Sequence, residues 1–278
     1  MSSLYSVVRK LRRIARSDLA DIDKLRYILN ESNAFGHGTG LATYRLRGNV
    51  NHVAATIALR RDTTDFKVFD EIFVEQAYAP CVAGLPDGLG RVTLIDLGAN
   101  IGLSVLSITQ QLAARALEVV EIIAVEPDPD NFRLLAENLR RTGLADRCTA
   151  IRAFAGAELA FATLHDSGNG AWGMRMGPLA DTGIPVLPLA EIAGSVKASV
   201  PIVLKCDIEG GERELFLHIR DWEHLIPYIL LELHTEFLSV QEMFACLNSS
   251  AFHWTVHGIP PSGASIALLL LERGYRKA

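Results

Sequence analysis

Residues 91–102 read RVTLIDLGANIG. A β-type apolar run reaches Asp96, and two glycines, Gly98 and Gly102, flank Asn100 before a helix opens. A strand that ends in such a turn lets a ligand lie against bare main chain, with N–H groups and the positive end of the helix dipole facing it. A dinucleotide turn reads G-x-G-x-x-G, whereas this one reads D-x-G-x-N-x-G with an acid at the strand end. Asp96 there would repel a pyrophosphate and welcome an ammonium. The spacing therefore predicts a nucleoside-type ligand with no phosphate and one cationic end.

From Val92 onward, strands and helices alternate, which predicts a mostly parallel sheet with helices on both faces. Val92–Asp96 is the first strand, and its helix runs from Gly102 to about Leu117. The second strand, Glu121–Val125, ends at Glu126. Its helix starts after Asp128-Pro129-Asp130, an acidic first turn that suits the dipole, and stops at Gly143. Thr149–Phe154 reads as the third strand, Glu158–Met176 as an irregular β insertion, and Ile202–Cys206 and Tyr228–Leu233 as the fourth and fifth. Trp254–Val256 and Ser265–Leu271 read as a closing antiparallel pair, although Ile266–Leu271 also fits a helix.

Upstream, Leu4, Val7, Val8, Leu11 and Ile14 share one helical face, with Lys10, Arg12, Arg13 and Arg16 around it. Such a helix docks on its own domain or a partner subunit, or lies on a membrane surface. Thr43–Arg47 and Val53–Leu59 form a hairpin around Gly48-Asn49-Val50-Asn51, Val68–Tyr78 forms a helix, and Ala79–Gly90 is the loop before the core. The expected organisation is a lead-in or cap over residues 1–90 and a ligand-binding domain over 91–278.

A chain of 278 residues with 49% hydrophobic content suits one large α/β domain with appendages. The net charge of −5 argues against a broad electrostatic grip on nucleic acid. Cys81, Cys148, Cys206 and Cys246 are scattered, with no metal-ligand spacing, and read as reduced thiols. No signal peptide or membrane-length apolar run is visible, so the expected compartment is the cytoplasm. A homo-oligomer is compatible with the sequence.

In an open α/β sheet, ligands gather at the carboxyl ends of the strands, near the point where strand order reverses. Asp96, Glu126, Asp207, Glu209, Glu232 and His234 all fall at strand ends. Glu126 can accept both hydroxyls of a ribose while Gly98 to Gly102 hold the rest of a nucleoside, and Pro127 fixes the turn that keeps the carboxylate at the sheet edge. S-adenosylmethionine has the required shape. The segment Lys205-Cys206-Asp207-Ile208-Glu209-Gly210-Gly211-Glu212 crowds acids at a strand end. Asp207 and Glu209 face the reaction centre, to bind a cation or orient a hydroxyl, while Glu212 fits the first turn of a helix. His234 suits proton removal from a hydroxyl, or a structural hydrogen bond. Asp207, Glu209 and His234 match no compact metal-ligand motif, and no metal is assigned.

IDLGANIGLS, AVEPDPDNFRLLAENL, LKCDIEGGERELF and ILLELH, in this order, resemble the FkbM family of S-adenosylmethionine-dependent methyltransferases, and Arg60 to Tyr78 resemble that family's approach to the first strand. The resemblance covers roughly residues 42 to 240. It implies the class I methyltransferase (Rossmann-like) fold, a seven-stranded sheet with one antiparallel edge strand, and O-methylation of a sugar, glycan or polyketide-type small molecule. It implies that Asp96, Gly98, Asn100, Gly102 and Glu126 hold S-adenosylmethionine, with Asp207 and Glu209 beside its methionine end and the acceptor. Arg60, Arg61, Asp65 and Tyr78 complete the pocket in this reading, packing of the lead-in helix being the alternative for Asp65 and Tyr78. The expected base is His234, with Asp207 second. Asp166–Met176 is unusually glycine-rich, and its Trp172 would stack on a sugar or cover the core.

Rival readings are an NAD-dependent oxidoreductase, disfavoured by Asp96 and the missing third glycine, and a non-catalytic methyltransferase-like module binding a partner through the basic helix. RNA methylation is disfavoured by the acidic balance and the lack of an Asn-Pro-Pro-Tyr-type motif.

Overall fold

Two core layers follow from the alternation of side chains along the central strands. The computed structural model describes residues 40–50, 53–61, 63–166, 174–258 and 265–277, with the isolated positions Leu11, Ile14, Ala15 and Lys24. The helix expected over residues 4–16 lies largely outside these, as do the middle of the first hairpin turn and Gly168, Gly170, Trp172 and Gly173.

The lead-in opens with an antiparallel hairpin of β1 (Leu41–Val50) and β2 (Val53–Arg60). A short α1 (Asp65–Phe69) runs into a π-helical turn (Asp70–Val74), and α2 (Ala79–Gly84) follows. The single helix expected over Val68–Tyr78 is thus interrupted: Gln76 takes a left-handed φ of 54°. Pro80 then sits in the first turn of α2, where its missing N–H costs nothing, so part of the expected loop is helical.

The remaining elements are β3 (Arg91–Leu97), α3 (Leu103–Ala114), β4 (Glu118–Val125), α4 (Pro129–Arg141), β5 (Cys148–Ile151), β6 (Phe154–Gly156), β7 (Ala160–Asp166), β8 (Met174–Leu179) and β9 (Ile184–Pro188). They continue with α5 (Leu189–Gly194), β10 (Ile202–Cys206), α6 (Glu212–Leu217), α7 (Ile219–Trp222), β11 (Tyr228–His234), α8 (Val240–Ser249), β12 (Phe252–His257) and β13 (Ile266–Arg276).

Seven strands form one sheet in the order β12-β13-β11-β10-β3-β4-β5. β11, β10, β3, β4 and β5 are parallel. The antiparallel strand is β13, one place in from the edge and covered by β12, rather than the edge strand itself. The tail is a strand pair, not a helix. The expected third strand divides: β5 ends at Ile151, and Phe154 moves into a separate four-stranded sheet, β6-β9-β7-β8, which replaces the irregular insertion. Strand order reverses at β3, whose neighbours are β4 and β10, so a ligand crevice is expected at the carboxyl ends of these three.

Val92 and Leu94 of β3, Val203 of β10 and Leu230 of β11 face one apolar layer, formed with α3, α4 and the lead-in. Ile95, Leu97, Leu204, Leu231 and Leu233 face the other, formed with α5 to α8. Each such side chain contributes roughly 1.5–3 kcal/mol on burial. The hairpin is tied to α4 by buried Asn138, whose Oδ1 accepts from Ala58 N–H at 2.8 Å and whose Nδ2 donates to the carbonyls of Ile101 and Ala58 at 2.9 and 3.2 Å. One polar side chain thereby satisfies backbone groups of both the lead-in and the glycine turn.

Candidate active site

The β3–α3 turn is shaped by its neighbours. Gly98 has φ +74°, and a Cβ there would lie 1.8 Å from the carbonyl oxygen of Asp207 at the end of β10. Gly102 has φ +87°, and its Cβ would meet Leu135 of α4 at 2.8 Å. Both glycines permit close packing of backbone. The N–H groups expected to face the ligand are already engaged: those of Gly98 and Ala99 donate to Val125 O, each at 3.0 Å, and that of Asn100 to Glu126 Oε2 at 2.8 Å. This turn therefore spends its N–H groups on the Val125 carbonyl and the Glu126 carboxylate rather than on a bound anion.

Glu126 is buried at the end of β4. Its Oε1 accepts from Asp128 N–H at 2.9 Å and from Asn131 Nδ2 at 3.5 Å. Asp128 caps α4, accepting from the N–H groups of Asp130 and Asn131 at 3.0 and 2.8 Å, which fixes the segment that carries these donors. Burial pushes the Glu126 carboxyl up to about 7 against these hydrogen bonds. It lines a cavity of about 60 Å³ with Asn100, Asn131, Phe154, Met176 and Ile208.

A larger cavity of about 410 Å³ lies on the lead-in side. It shares Gly98, Asn100, Asp207 and Glu209 with the first, and is walled by Glu71, Tyr78, Arg175, Lys205, Glu232 and His234. Period-two alternation explains its chemistry. Asp96, Lys205 and Glu232 follow Leu94, Val203 and Leu230 on the same sheet face, and Lys205 is in register with Asp96.

Asp96 is 0% exposed and lines neither cavity. Its Oδ2 accepts from Ser104 Oγ at 2.5 Å, and its Oδ1 lies 3.1 Å from Lys205 Nζ. The ammonium expected from the ligand is thus supplied by the chain, which corrects the direct-contact role assigned to Asp96. Lys205 Nζ also donates to the carbonyls of Gly98 and Leu97, at 2.8 and 3.2 Å, and lies 3.3 Å from Asp207 Oδ2. Burial alone would lower its pKa, but Asp96, Asp207 and Glu232 hold it well above the ordinary lysine value.

His234, at the end of β11, lies against Glu212, with Nδ1 at 2.9 Å from Oε1. Its Nε2 is 3.7 Å from Glu209, which Arg175 Nη2 approaches equally closely. Burial would depress the imidazole, but Glu212 first, then Asp207 and Glu209, raise it to about 9. Glu209 itself is raised, by burial and then by Asp207. Glu232 is raised well above its ordinary value by burial, Asp207 and Glu71, and accepts from Tyr78 Oη at 3.4 Å. Among the described residues, Asp207, Glu232 and His234 bring possible metal-ligand atoms within 4.8 Å of one another, a set with Glu232 where the sequence suggested Glu209. Lys205 already supplies a cation to this cluster.

Of the expected site residues, Gly98, Asn100, Glu126, Tyr78, Asp207, Glu209 and His234 line the cavities. Gly102 does not, because it packs on α4. Asp65 does not either: it is buried in a bidentate pair with Arg60, at 2.8 and 3.0 Å, and Arg60 reaches Asn131 Oδ1 at 2.6 Å. Arg60 and Asp65 thus join the lead-in to α4, and Arg61 lines neither cavity. The sequence reading missed Glu71, Arg175, Lys205 and the Glu212–His234 contact. A lone lysine inside the apolar strand Ile202–Cys206 was the available signal, since a buried charge needs a partner.

The Methyltransferase FkbM domain model matches residues 96–277. The chain belongs to the FkbM methyltransferase family. No curated protein matches it. Similar solved structures include a methyltransferase FkbM from Methylobacillus flagellatus KT, at 19% identity and TM-score 0.42 over 65% of this chain and 43% of that one. An S-adenosylmethionine-dependent O-methyltransferase from Thermotoga maritima matches at 13% identity and TM-score 0.40, over 73% and 65%. TrmK of M. capricolum, solved with S-adenosyl-homocysteine, matches at 10% identity and TM-score 0.44, over 71% and 68%. The FkbM chain described here thus spans less than half of the first structure and about two thirds of the second. Among its described residues, no helix is long and apolar enough to cross a membrane.

Proposed function

We propose that this FkbM methyltransferase binds S-adenosylmethionine across the two joined cavities and methylates a hydroxyl of a sugar, glycan or polyketide-type small molecule. The observation that carries this reading is the division of labour at Gly98, Asn100, Asp207 and Glu209. On one side lies a pinned carboxylate, Glu126, suited to ribose hydroxyls; on the other, an acid-rich chamber with His234. A ligand with a nucleoside end and a cationic amino-acid end fits that pair.

S-adenosylmethionine, when bound, supplies an electrophilic methyl group on a sulfonium. The chain's own task is to align an acceptor oxygen, exclude water and take up one proton. Glu126 accepts the ribose hydroxyls, and Lys205 holds Asp207 and the Gly98 carbonyl in place. His234 Nε2 takes the acceptor proton in the neutral form of the ring, so with the imidazole raised to about 9 the rate should climb as the pH approaches that value. The turn has spent the N–H groups of Gly98, Ala99 and Asn100 internally, which counts against a dinucleotide diphosphate and hence against the oxidoreductase reading. Four free thiols suit the expected cytoplasmic setting.

Thermal-shift titration separates the classes: S-adenosylhomocysteine should raise the melting temperature and NAD should not. Labelled methyl transfer onto hydroxylated extracts should then mark a small molecule. Stabilisation by NAD alone would overturn the reading, and binding without transfer to any extract would favour the non-catalytic module.

A further inference from the structure

Glu212 opens α6 and is 0% exposed, yet every one of its hydrogen bonds serves the strand ends around the site. Its Oε2 accepts from Gly210 N–H at 2.9 Å. Its Oε1 accepts from Ile208 N–H at 3.1 Å and lies 2.9 Å from His234 Nδ1. The third contact runs to the far side of a histidine whose other edge faces the larger cavity, while Glu212 itself lines neither cavity. The loop keeps it enclosed: at Gly210 (φ +104°) a Cβ would strike the Phe237 ring at 2.8 Å.

We propose that Glu212 is the positioning residue for His234, fixing its proton on Nδ1 and presenting Nε2 to the acceptor hydroxyl; this rests on the methyltransferase reading above. A carboxylate accepts and cannot donate, so the nitrogen facing it must carry hydrogen. When the acceptor oxygen forms its bond to the methyl carbon, the carbon–sulfur bond breaks with its electron pair left on sulfur as a neutral thioether, the hydroxyl proton passes to the free Nε2 of the neutral ring, and the Nδ1–H stays with Glu212 throughout. Asp207 and Glu209 of the loop, Glu232 of β11, Glu236 beyond it and Arg175 of β8 surround the same cavity. None of these carboxylates makes a hydrogen bond to the ring among the described residues, Glu209 coming no nearer than 3.7 Å, whereas Glu212 does at 2.9 Å.

The test needs no identified acceptor. Nitrogen-15 NMR of the histidine rings, with the His234 signal assigned by its loss in His234→Asn, reads both titration and tautomer in the full-length protein. Wild type should titrate near 9, and its neutral form should carry the proton on Nδ1. In Glu212→Gln the midpoint should fall toward the ordinary 6.5. An unchanged midpoint, or a wild-type neutral form protonated on Nε2, would overturn the proposal. Should Glu212→Gln fail to fold, the wild-type tautomer alone decides. With methyl transfer in hand, the ascending limb of the rate profile, set by loss of the His234 proton, should move to lower pH in Glu212→Gln, a shift that a purely structural carboxylate would not cause. A ring that responds while the rate profile stays fixed would instead remove His234 as the base and leave the Glu212 contact standing.

Discussion

The smaller cavity and the larger one are assembled from different distances along the chain. Glu126 receives its hydrogen bonds from Asn100, Asp128 and Asn131, the farthest of them 26 residues away. In the larger cavity, Tyr78 meets Glu232 across 154 residues, and Lys205 reaches Gly98 across 107. One carboxylate is therefore aimed by two consecutive strand-turn-helix units. The other chamber exists only once the lead-in, β3, β10 and β11 have come together. The difference teaches that the pinning of Glu126 is a local property of the fold, whereas the chamber around His234 depends on register and on how the lead-in sits.

If the cavities divide the work in this way, His234→Ala should cost methyl transfer roughly 10²- to 10⁴-fold, the usual share of a positioned base. Measured with a labelled methyl donor, turnover within threefold (~3) of wild type would dissolve the distinction.

A second way to break the comparison is to loosen the lead-in. Asn138→Leu leaves the N–H and carbonyl of Ala58 and the carbonyl of Ile101 short of a partner, and should destabilise the protein by about 3 kcal/mol in urea unfolding. A loss below about 1 kcal/mol would show that the hairpin is held by its apolar contacts instead.

The smallest effect is pH dependence. In the proposed role Glu126 would bind ribose hydroxyls as a carboxylate, and burial raises its carboxyl to about 7 in the free protein. S-adenosylhomocysteine affinity should be level above pH 7 and weaken below it, by at most about tenfold per pH unit. His234, raised to about 9, stays protonated through this range and adds no slope. Glu126→Gln should flatten the curve; a persistent slope would assign it to Glu232 or Glu71.

Much of this was legible in the sequence, for physical reasons that also explain what was not. The D-x-G-x-N-x-G turn, the strand ending at Glu126 and the helix after Asp128 are written in local signals: apolar runs, glycine at left-handed positions and an acidic cap. Asp96 was placed correctly at a strand end, but its partner is Lys205 in the next strand, and pairing across β3 and β10 depends on register. Asp65 stands near the site in sequence, yet the Arg60 guanidinium takes both its oxygens. Glu212 read as an ordinary helix-start acid because its third contact arrives from β11. Phe154 left the third strand because β5 ends at Ile151, while β9 offers Phe154 a parallel partner in Val186.

The central claim is that Glu126 grips the donor while His234 serves the acceptor. Calorimetric titration of S-adenosylhomocysteine into wild type, Glu126→Ala and His234→Ala tests it most directly. Loss of two hydrogen bonds to a charged group should weaken Glu126→Ala by about 100-fold or more, and leave His234→Ala near wild type. Wild-type affinity in Glu126→Ala, or equal weakening in both variants, would contradict the account.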